Sequence, residues 1–330
     1  MSKQVARHDL LERVTEYIGD DLLKVEQIFS DELATDHEFV ADIQYHVSRF
    51  RGKRLRPILM LLTAKALGEV KHDHMVLAAV VEMIHTATLV HDDVLDDAAT
   101  RRHVATVNSR WNNETSVLYG DYLFTHAFHL ASSLDSTLGC RLIGQATNVV
   151  CVGELSQINE RGNSELSEEH YLRIIDQKTA ELCALSCRLG ALFGDADEDI
   201  VNSMDCYGRS LGIAFQIADD ILDVIGEEED MGKTLGSDLQ KQKLTLPLIR
   251  LLEQLGEAEA AQVREILAQP NEETGAALKP YFARCEAIEY AHHRAIEFAQ
   301  EARQQIEKLP DSEATQILAD VAEFAVNRNF

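Results

Sequence analysis

The chain has 330 residues, of which 45% are hydrophobic and 26% are charged, so it can bury the core of a globular protein. Its 56 acidic residues outnumber 31 basic residues and give a formal net charge of −25, which argues against nucleic acid as a partner because phosphate backbones bind broad basic surfaces. No proline lies between Pro57 and Pro247 and glycines number only 17, so the composition predicts long helices and an all-α protein.

The compartment and domain organisation follow from what the sequence lacks. Its six cysteines form no CxxC pair and no regular framework, which favours reduced thiols in a cytoplasmic protein. The N-terminus has no apolar signal core, and no charge-free apolar stretch approaches the ~18 to 20 residues of a membrane span. Without a linker, a low-complexity tract or a long repeat, residues 1–330 are expected to form a single domain.

The first part of the chain predicts helices and then a basic stretch. Apolar residues at helical spacing indicate two amphipathic helices over about residues 8–50. Residues 50–57 read FRGKRLRP, with four cations around Gly52, just before an apolar helix from Ile58 to Leu67. The stretch is either a solvated helix start or part of an anion site.

The central feature of the sequence is an apolar helix, predicted over residues 73–97, that ends in a cluster of aspartates. Asp92 and Asp96 are four residues apart, so they share a helix face, where two like charges repel unless a cation lies between them. His85 lies seven residues before Asp92 on the same face. Carboxylate oxygens suit Mg²⁺, so this face predicts a magnesium site.

The same spacing returns 127 residues later, at Asp219 and Asp223. We interpret the two motifs as opposite walls of one cavity that holds several Mg²⁺ ions. Arg101 and Arg102 follow the first motif. They are either salt-bridge partners of the aspartates or part of a diphosphate cradle, because the guanidinium fork matches phosphate oxygens.

Three further helical segments are expected between residues 115 and 194, and a polar loop from Gly226 to Gly236 follows the second motif. Beyond Pro247 the sequence predicts short helices without chemistry. No GxSxG, Walker or HExxH motif occurs, so hydrolase and kinase chemistry of these kinds is unsupported. The acids and cations can instead promote the ionisation of a diphosphate leaving group by absorbing its developing charge.

Several motifs together resemble those of the trans-isoprenyl diphosphate synthases in order and spacing, over about residues 50–250: two DDxxD motifs, the GKxLRP stretch, the arginine pair and a Lys-Thr dipeptide. The phrase IHTAT at residues 84–88 is similar to the long-chain, octaprenyl-type members. The resemblance implies an all-α, single-domain bundle of long helices around a central cavity, usually a homodimer. It also implies a prenyltransferase that joins isopentenyl diphosphate head to tail to an allylic diphosphate, with an all-trans product of about C35 to C50.

The resemblance further implies the residues of the site. Direct ligands of about three Mg²⁺ ions would be Asp92, Asp96 and Asp219, with Asp93, Asp220 and Asp223 in supporting roles. Isopentenyl diphosphate would bind Gly52, Lys53, Arg56, His85 and Arg102. The allylic diphosphate would bind Arg101, Lys178, Thr179, Gln216, Lys233 and Lys243. The catalytic set would be Asp92, Asp96, Asp219, Arg101, Lys178 and Lys233.

Product length is expected to depend on the residues below Asp92 on the same helix. A growing chain that runs toward the helix N-terminus passes Ala87 after roughly one turn, or about 5.4 Å, and then Ile84. In short-chain relatives an aromatic residue commonly closes this turn, whereas here no Phe or Tyr lies between Met83 and Leu95. Alanine is also a frequent core residue, so the position alone does not decide the product.

Three positions depart from the family pattern. Arg51 stands where a second glycine is frequent, and His103 follows the arginine pair where glycine is common. QKLT at residues 242–245 replaces the frequent GKPT, which makes the placement of Lys243 the least secure.

Three alternatives differ in class: a short-chain synthase, a terpene cyclase and a silent subunit of a heteromeric synthase. A cyclase has no use for the cations at Lys53, Arg56 and Arg102. A silent subunit is expected to have lost acids from one motif, whereas all six motif aspartates are present.

Overall fold

The computed structural model describes residues 3–50, 52–225, 237–271 and 273–327. The described part is helical, as the sequence predicts. The first helices are α1 (Lys3–Glu32), α2 (Glu38–Ser48), α3 (Leu55–Leu67) and α4 (His72–Leu95). The middle helices are α5 (Val107–Arg110), α6 (Asn113–Ser132), α7 (Thr137–Asn159), α8 (Glu168–Ile175), α9 (Glu181–Leu192) and α10 (Glu198–Ile225). The last are α11 (Ser237–Gln240), α12 (Leu246–Gln254), α13 (Glu257–Ala268), α14 (Thr274–Phe282), α15 (Ala287–Gln305) and α16 (Glu313–Val326), with a 3₁₀ turn at Ile306–Lys308.

Helix α4 lies in the core and carries the first acidic motif at its C-terminal end. It packs against α6, α3 and α1, and the residues from Val76 to Ile84 are buried almost completely. By length and composition alone α4 could span a membrane, but 72% of its apolar window is buried inside the protein. Its apolarity is therefore explained by its place in the core.

Helix α10 connects two hydrophobic clusters. Its first half, including Tyr207 and Leu211, packs with α9 and belongs to the same cluster as residues of α3 and α4. Its second half, including Ile217 and Ile221, packs with α12 and α15. The second acidic motif lies on this second half, so both acidic motifs are mounted on long helices fixed by buried apolar contacts.

Several details of the fold differ from the sequence-based expectation. Helix α4 ends at Leu95, and Asp96 is its C-cap residue, with its N–H donating to the carbonyl of Asp92 at 2.8 Å. A short β-hairpin of β1 (Thr100–Arg101) and β2 (Val104–Ala105) follows, although no strand was predicted there. The helix α15 has 19 residues, so the C-terminal region is not made of short helices alone.

A π-helical turn separates α8 from α9. It covers Asp176–Ala180, and its hydrogen bond runs from the N–H of Glu181 to the carbonyl of Asp176. The turn was not predicted, because helical periodicity in the sequence does not reveal one inserted residue. It carries Lys178 and Thr179 and thereby sets where both side chains point.

Candidate active site

In the first acidic motif, Asp92 is a half-buried carboxylate. Its nearest cation is Lys178, whose Nζ lies 3.8 Å from Oδ2. Burial raises the pKa of Asp92 even though the Lys178 ammonium opposes this, and Glu154 raises it further. Asp92 is thus a half-buried carboxylate whose one nearby ammonium does not offset the effect of burial on its pKa.

Asp93 is held differently, because its carboxylate is taken up by Arg101. The guanidinium donates from Nε to Oδ1 at 3.0 Å and from Nη2 to the same oxygen at 2.8 Å. Burial raises the pKa of Asp93, and the Arg101 guanidinium partly offsets this. One of the two open interpretations of Arg101 is therefore seen in the structure, namely a salt bridge to a motif aspartate.

Asp96 has three cationic neighbours. Its carboxylate accepts from Lys241 at 2.9 Å, from Arg161 at 3.1 Å and from Lys243 at 3.4 Å. Burial favours the protonated form, but Lys243 and Lys241 outweigh it, so the pKa of Asp96 is lowered. These cations come from the end of α7 and from the segment after α11, so they bring the second half of the chain to the first motif.

In the second acidic motif Asp220 is fully engaged by neighbours. Tyr171 donates from its hydroxyl to Oδ2 at 2.6 Å, and Gln216 donates from Nε2 to Oδ1 at 2.7 Å. Burial, with the nearby charge of Asp238, raises the pKa of Asp220 to about 8. With both oxygens occupied, Asp220 is arranged to organise the motif.

The other two aspartates of the second motif differ in exposure. Asp223 is buried and accepts the backbone N–H of Asp238 at 3.1 Å. Asp219 is half-buried and is therefore the most accessible of the three. The order of access agrees with the sequence-based assignment of Asp219 as the direct ligand, which remains a prediction.

The Lys-Thr dipeptide of the π-helical turn connects the two motifs. Lys178 donates to Gln157 Oε1 at 2.8 Å and forms an ion pair with Glu154, in addition to its approach to Asp92. Thr179 donates from Oγ1 to Gln216 Oε1 at 2.9 Å, and Gln216 in turn contacts Asp220. The two sequence motifs are therefore linked through two adjacent residues.

A second group of cations surrounds His85. Burial lowers the pKa of His85 well below its usual range, so the imidazole is neutral, and nearby guanidinium groups lower it further. These groups belong to Arg56, Arg101, Arg102 and Arg54. Such a concentration of positive charge next to a neutral imidazole suits an anion with several oxygens.

The members of this group have different partners. Arg102 donates to the carbonyl of Phe50 at 2.5 Å, and a Cβ on Gly52 would lie 2.7 Å from its Nη1, so glycine lets the guanidinium take this position. Arg56 has a buried Nε without a hydrogen-bond partner, as expected of a donor that awaits a ligand. Lys53 is exposed, and its Nζ lies 5.9 Å from the centre of the Phe324 ring.

Whether the acids fit divalent cations can be judged from their donors. Within the described ranges, no group of three His, Cys, Asp or Glu side chains is arranged to hold a metal ion by itself. Mg²⁺ commonly takes only one or two carboxylates and completes its shell with water and substrate phosphate. Asp92, Asp96 and Asp219 supply hard oxygen donors for this, and the under-compensated charge of Asp92 favours a cation, so the residues fit.

Four residues near these motifs were not assigned from the sequence. They are Arg161 and Lys241 at Asp96, Glu154 at Lys178, and Tyr171 at Asp220. Lys241 lies two positions before the assigned Lys243, so proximity was a usable signal for it, whereas Glu154 has no assigned residue near it in the sequence. Arg161 and Tyr171 lie in unremarkable sequence, and only the fold brings them to the motifs. The predicted residue Lys233 lies outside the described residues.

The residues expected to guide a growing chain are in the core. Ala87 and Ile84 are both fully buried on α4. They lie below Asp92 toward the N-terminus of the helix, where α6 packs against it. Their position fits a lining role, and their burial fits an ordinary core role equally well.

Comparison with known proteins gives consistent findings. Residues 37–283 match the family model described as polyprenyl synthetase. The chain is 35% identical over 321 residues to octaprenyl diphosphate synthase of Haemophilus influenzae, with 97% of this chain and 98% of that protein covered. It is 32% identical to heptaprenyl diphosphate synthase component 2 of Bacillus subtilis, with 95% and 90% covered. The crystal structure of a polyprenyl synthase from Caulobacter crescentus, complexed with calcium and isoprenyl diphosphate, has a TM-score of 0.92 at 32% identity, with 96% and 98% covered.

Proposed function

Because the chain belongs to the polyprenyl synthetase family, it is a prenyltransferase, and we propose how its residues divide the work. It is a trans-polyprenyl diphosphate synthase of the long-chain type, and the family uses divalent metal. The finer points proposed here are about three Mg²⁺ ions per site, a product of about C35 to C50, and a role for each polar residue.

The allylic diphosphate would lie between the two acidic motifs. Mg²⁺ bound at Asp92, Asp96 and Asp219 would draw charge from the departing diphosphate. Lys178, Thr179 and Gln216 would orient that diphosphate from one side, and Lys243 with Lys233 from the other. The observation that carries this proposal is the bridge from Lys178 to Asp92 and from Thr179 through Gln216 to Asp220.

Isopentenyl diphosphate would bind in the cationic group around His85. Arg56 would offer its unpartnered Nε, and Arg102 the donors left after its bond to Phe50. Neutral His85 would donate or accept one hydrogen bond without adding charge. Gly52 would allow the backbone to approach the phosphate, and Lys53 would close the site from solvent.

The condensation itself needs positioning and protection from water. The double bond of isopentenyl diphosphate attacks the allylic carbon as its bond to diphosphate breaks, and a proton is then lost to the released diphosphate. The protein holds both substrates in line and excludes water from the cationic carbon. The apolar residues of α4 below Asp92 supply that dry environment.

The test is product analysis with purified protein, labelled isopentenyl diphosphate and Mg²⁺. Geranyl, farnesyl and geranylgeranyl diphosphates are supplied as separate primers. We expect a product of about seven to ten isoprene units, because no aromatic residue closes the helix turn below Asp92. Cyclic hydrocarbon made from an allylic diphosphate alone would contradict the proposal, and a product of three or four units would limit it to the short-chain class.

We also propose that the active species is a homodimer in the cytoplasm. The support is a patch of exposed apolar side chains on the neighbouring helices α6 and α7: Val117, Leu118, Val152 and Leu155. The likeness to a heptaprenyl synthase component 2 raises the alternative of a second, different subunit. Activity of the purified chain alone would exclude the need for a second, different subunit, and activity that needs an added subunit would decide against the homodimer.

Light scattering tests which surface is used. Leu118→Glu combined with Leu155→Glu places charge on side chains that are 68% and 66% exposed, so a folded monomer is expected. Tyr45→Glu is the matched control, since Tyr45 is 69% exposed and lies on α2, which is neither of the two helices that carry the patch. A dimer that persists in the double variant would exclude this surface.

A further inference from the structure

The π-helical turn that carries Lys178 and Thr179 is held at both ends by one side chain, Arg209 of α10. The guanidinium donates from Nη1 to Asp176 Oδ1 at 2.6 Å and from Nη2 to Glu181 Oε2 at 2.9 Å. These two acids are five residues apart. They are the same two residues whose backbone forms the hydrogen bond of the π turn.

The turn also lies so close to the two helices around it that glycine occupies the contact position on each of them. A Cβ on Gly153 of α7 would lie 2.7 Å from the backbone nitrogen of Lys178. A Cβ on Gly212 of α10 would lie 2.6 Å from the Cα of Ala180. The turn is thus pressed between α7 and α10, and Arg209 lies less than one turn of α10 from Gly212.

Charge and shape make Arg209 suited to this task. Its planar fork can contact two carboxylates at once, whereas a lysine ammonium is a single point. The two carboxylates and the nearby Asp205, which lies 3.5 Å from Nη2, raise the pKa of Arg209 against the effect of burial. The pairs are part-buried, so they are screened less than surface pairs.

From these contacts we infer that Arg209 is a positioning residue, which clamps the π-helical turn so that Lys178 and Thr179 point at the allylic diphosphate. Arg209 itself contacts neither motif among the bonds described above. The inference rests on the proposed function for what the two side chains bind, but not for the existence of the clamp. A helix without the extra residue of the π turn would rotate every following side chain by about 100°.

The kinetic test uses Arg209→Gln. We expect kcat to fall by about tenfold to a hundredfold, because small misplacements of positioning groups have effects of this size. The KM of the allylic primer should rise, and the KM of isopentenyl diphosphate should not change. Arg209→Lys should recover little, since it keeps the charge and loses the fork. Full recovery by lysine, or equal losses for both substrates, would overturn the inference.

The control is Arg13→Gln. Arg13 also joins two helices, through Asp320 at 2.5 Å, and its side chain is 32% exposed against 31% for Arg209. We expect this variant to change stability without the split in KM. If Arg209→Gln fails to fold, Asp176→Asn with Glu181→Gln removes the same contacts from the other side and should give the same split.

Amide hydrogen exchange tests the clamp without reference to activity. The N–H of Glu181 is protected by the π hydrogen bond, so it should exchange at least about tenfold faster in Arg209→Gln and at the original rate in Arg13→Gln. Unchanged protection would overturn the clamp. If the unmodified protein made no prenyl product, the proposed function would be wrong, but amide exchange would still show whether Arg209 holds the π-helical turn.

Discussion

At the scale of single residues, the six motif aspartates are not equivalent. Asp93 and Asp220 have both carboxylate oxygens in hydrogen bonds with side chains. Asp92 has an ammonium at 3.8 Å, which is an ion pair without a hydrogen bond. A carboxylate that is already satisfied has little to offer a cation, so this difference favours Asp92 over Asp93 and Asp220 as a ligand. Asp96, which contacts Lys241, Arg161 and Lys243, would have to exchange one of these partners for a cation.

We therefore predict that Asp92→Asn and Asp219→Asn each lower turnover at least about a hundredfold, the loss typical of one preorganised charge-stabilising contact. Steady-state rates at saturating Mg²⁺ measure this. Asp97→Asn is the matched control, because Asp97 is exposed in the same acidic cluster and should tolerate the change. Near-normal turnover in either folded variant would refute the ligand assignment.

The cations should divide between the two substrates. Arg56→Ala is expected to raise the KM of isopentenyl diphosphate by the equivalent of about 1.5 to 3 kcal/mol, the size of a charged hydrogen bond. His85→Ala should have a smaller effect on the same constant, because the imidazole is neutral. Initial rates with each substrate varied in turn provide the measurement. Equal effects on the primer would show that the sites are not separate.

Two departures from the family pattern have a local physical meaning. His103 has φ of +63° and Gln242 has φ of +54°, which is a backbone region that favours glycine. The sequence marked both positions because glycine is common there. It could not show that the backbone stays in the same conformation with a side chain present, nor that Lys243 still reaches Asp96.

At the scale of elements, prediction succeeded where apolar periodicity was strong and failed where one residue changed the pattern. Helices α3 and α4 were expected almost within their observed bounds. The hairpin turn at Arg102 and His103 has positive φ at both central residues, without the Asn-Gly signal that usually reveals it. The π turn is fixed by Arg209 and two close glycine contacts, which are tertiary features.

The path of the product along α4 gives the prediction at this scale. Ala87→Phe should shorten the product to about three or four isoprene units while sparing the first condensation, because the ring would block the first turn below Asp92. Ile84→Phe lies about one turn further down and should stop the chain later. Chromatography of the dephosphorylated products measures both. If both variants gave the same product lengths as the unmodified protein, the growing prenyl chain would not run past these residues.

At the scale of the whole molecule, the polar site depends on contacts that cross the fold. The first acidic motif belongs to one hydrophobic cluster and the second to the other. Lys178 and Asp92 are 86 positions apart in sequence, and Lys243 and Asp96 are 147 apart. Long-range pairs of this kind are not encoded in local sequence. The motifs therefore predicted which residues belong to the site, whereas the fold was needed to show which of them contact each other.

We predict that a buried histidine at the start of α4, His74, makes the stability of the protein depend on pH. His74 is fully buried, its Nδ1 accepts the N–H of Lys71 at 2.9 Å and its Nε2 donates to the carbonyl of Gly190 at 3.2 Å. Acceptance of the Lys71 N–H at Nδ1 requires the neutral ring, whereas the bond to Gly190 is available to the neutral and the protonated ring alike. Burial lowers the pKa of His74, and the charge of Lys71 adds to this, although the bond to Gly190, Asp73 and Asp195 oppose it.

The sign of the pH effect follows from that lowered pKa. Below the usual value of 6.5, the unfolded chain takes up a proton at this histidine before the folded chain does, so protonation favours unfolding. The contribution of His74 to the free energy of unfolding is complete above about pH 6.5 and is lost as the pH falls toward the folded pKa.

Denaturant midpoints at about pH 8 and about pH 5.5 measure the loss. His74→Gln removes the titrating group and should reduce the difference between the two midpoints. His72→Gln, at an exposed position in the same helical turn, should leave that difference unchanged. If the difference between the two midpoints were equal in all three proteins, protonation of His74 would not be linked to folding, because glutamine cannot titrate at this buried position.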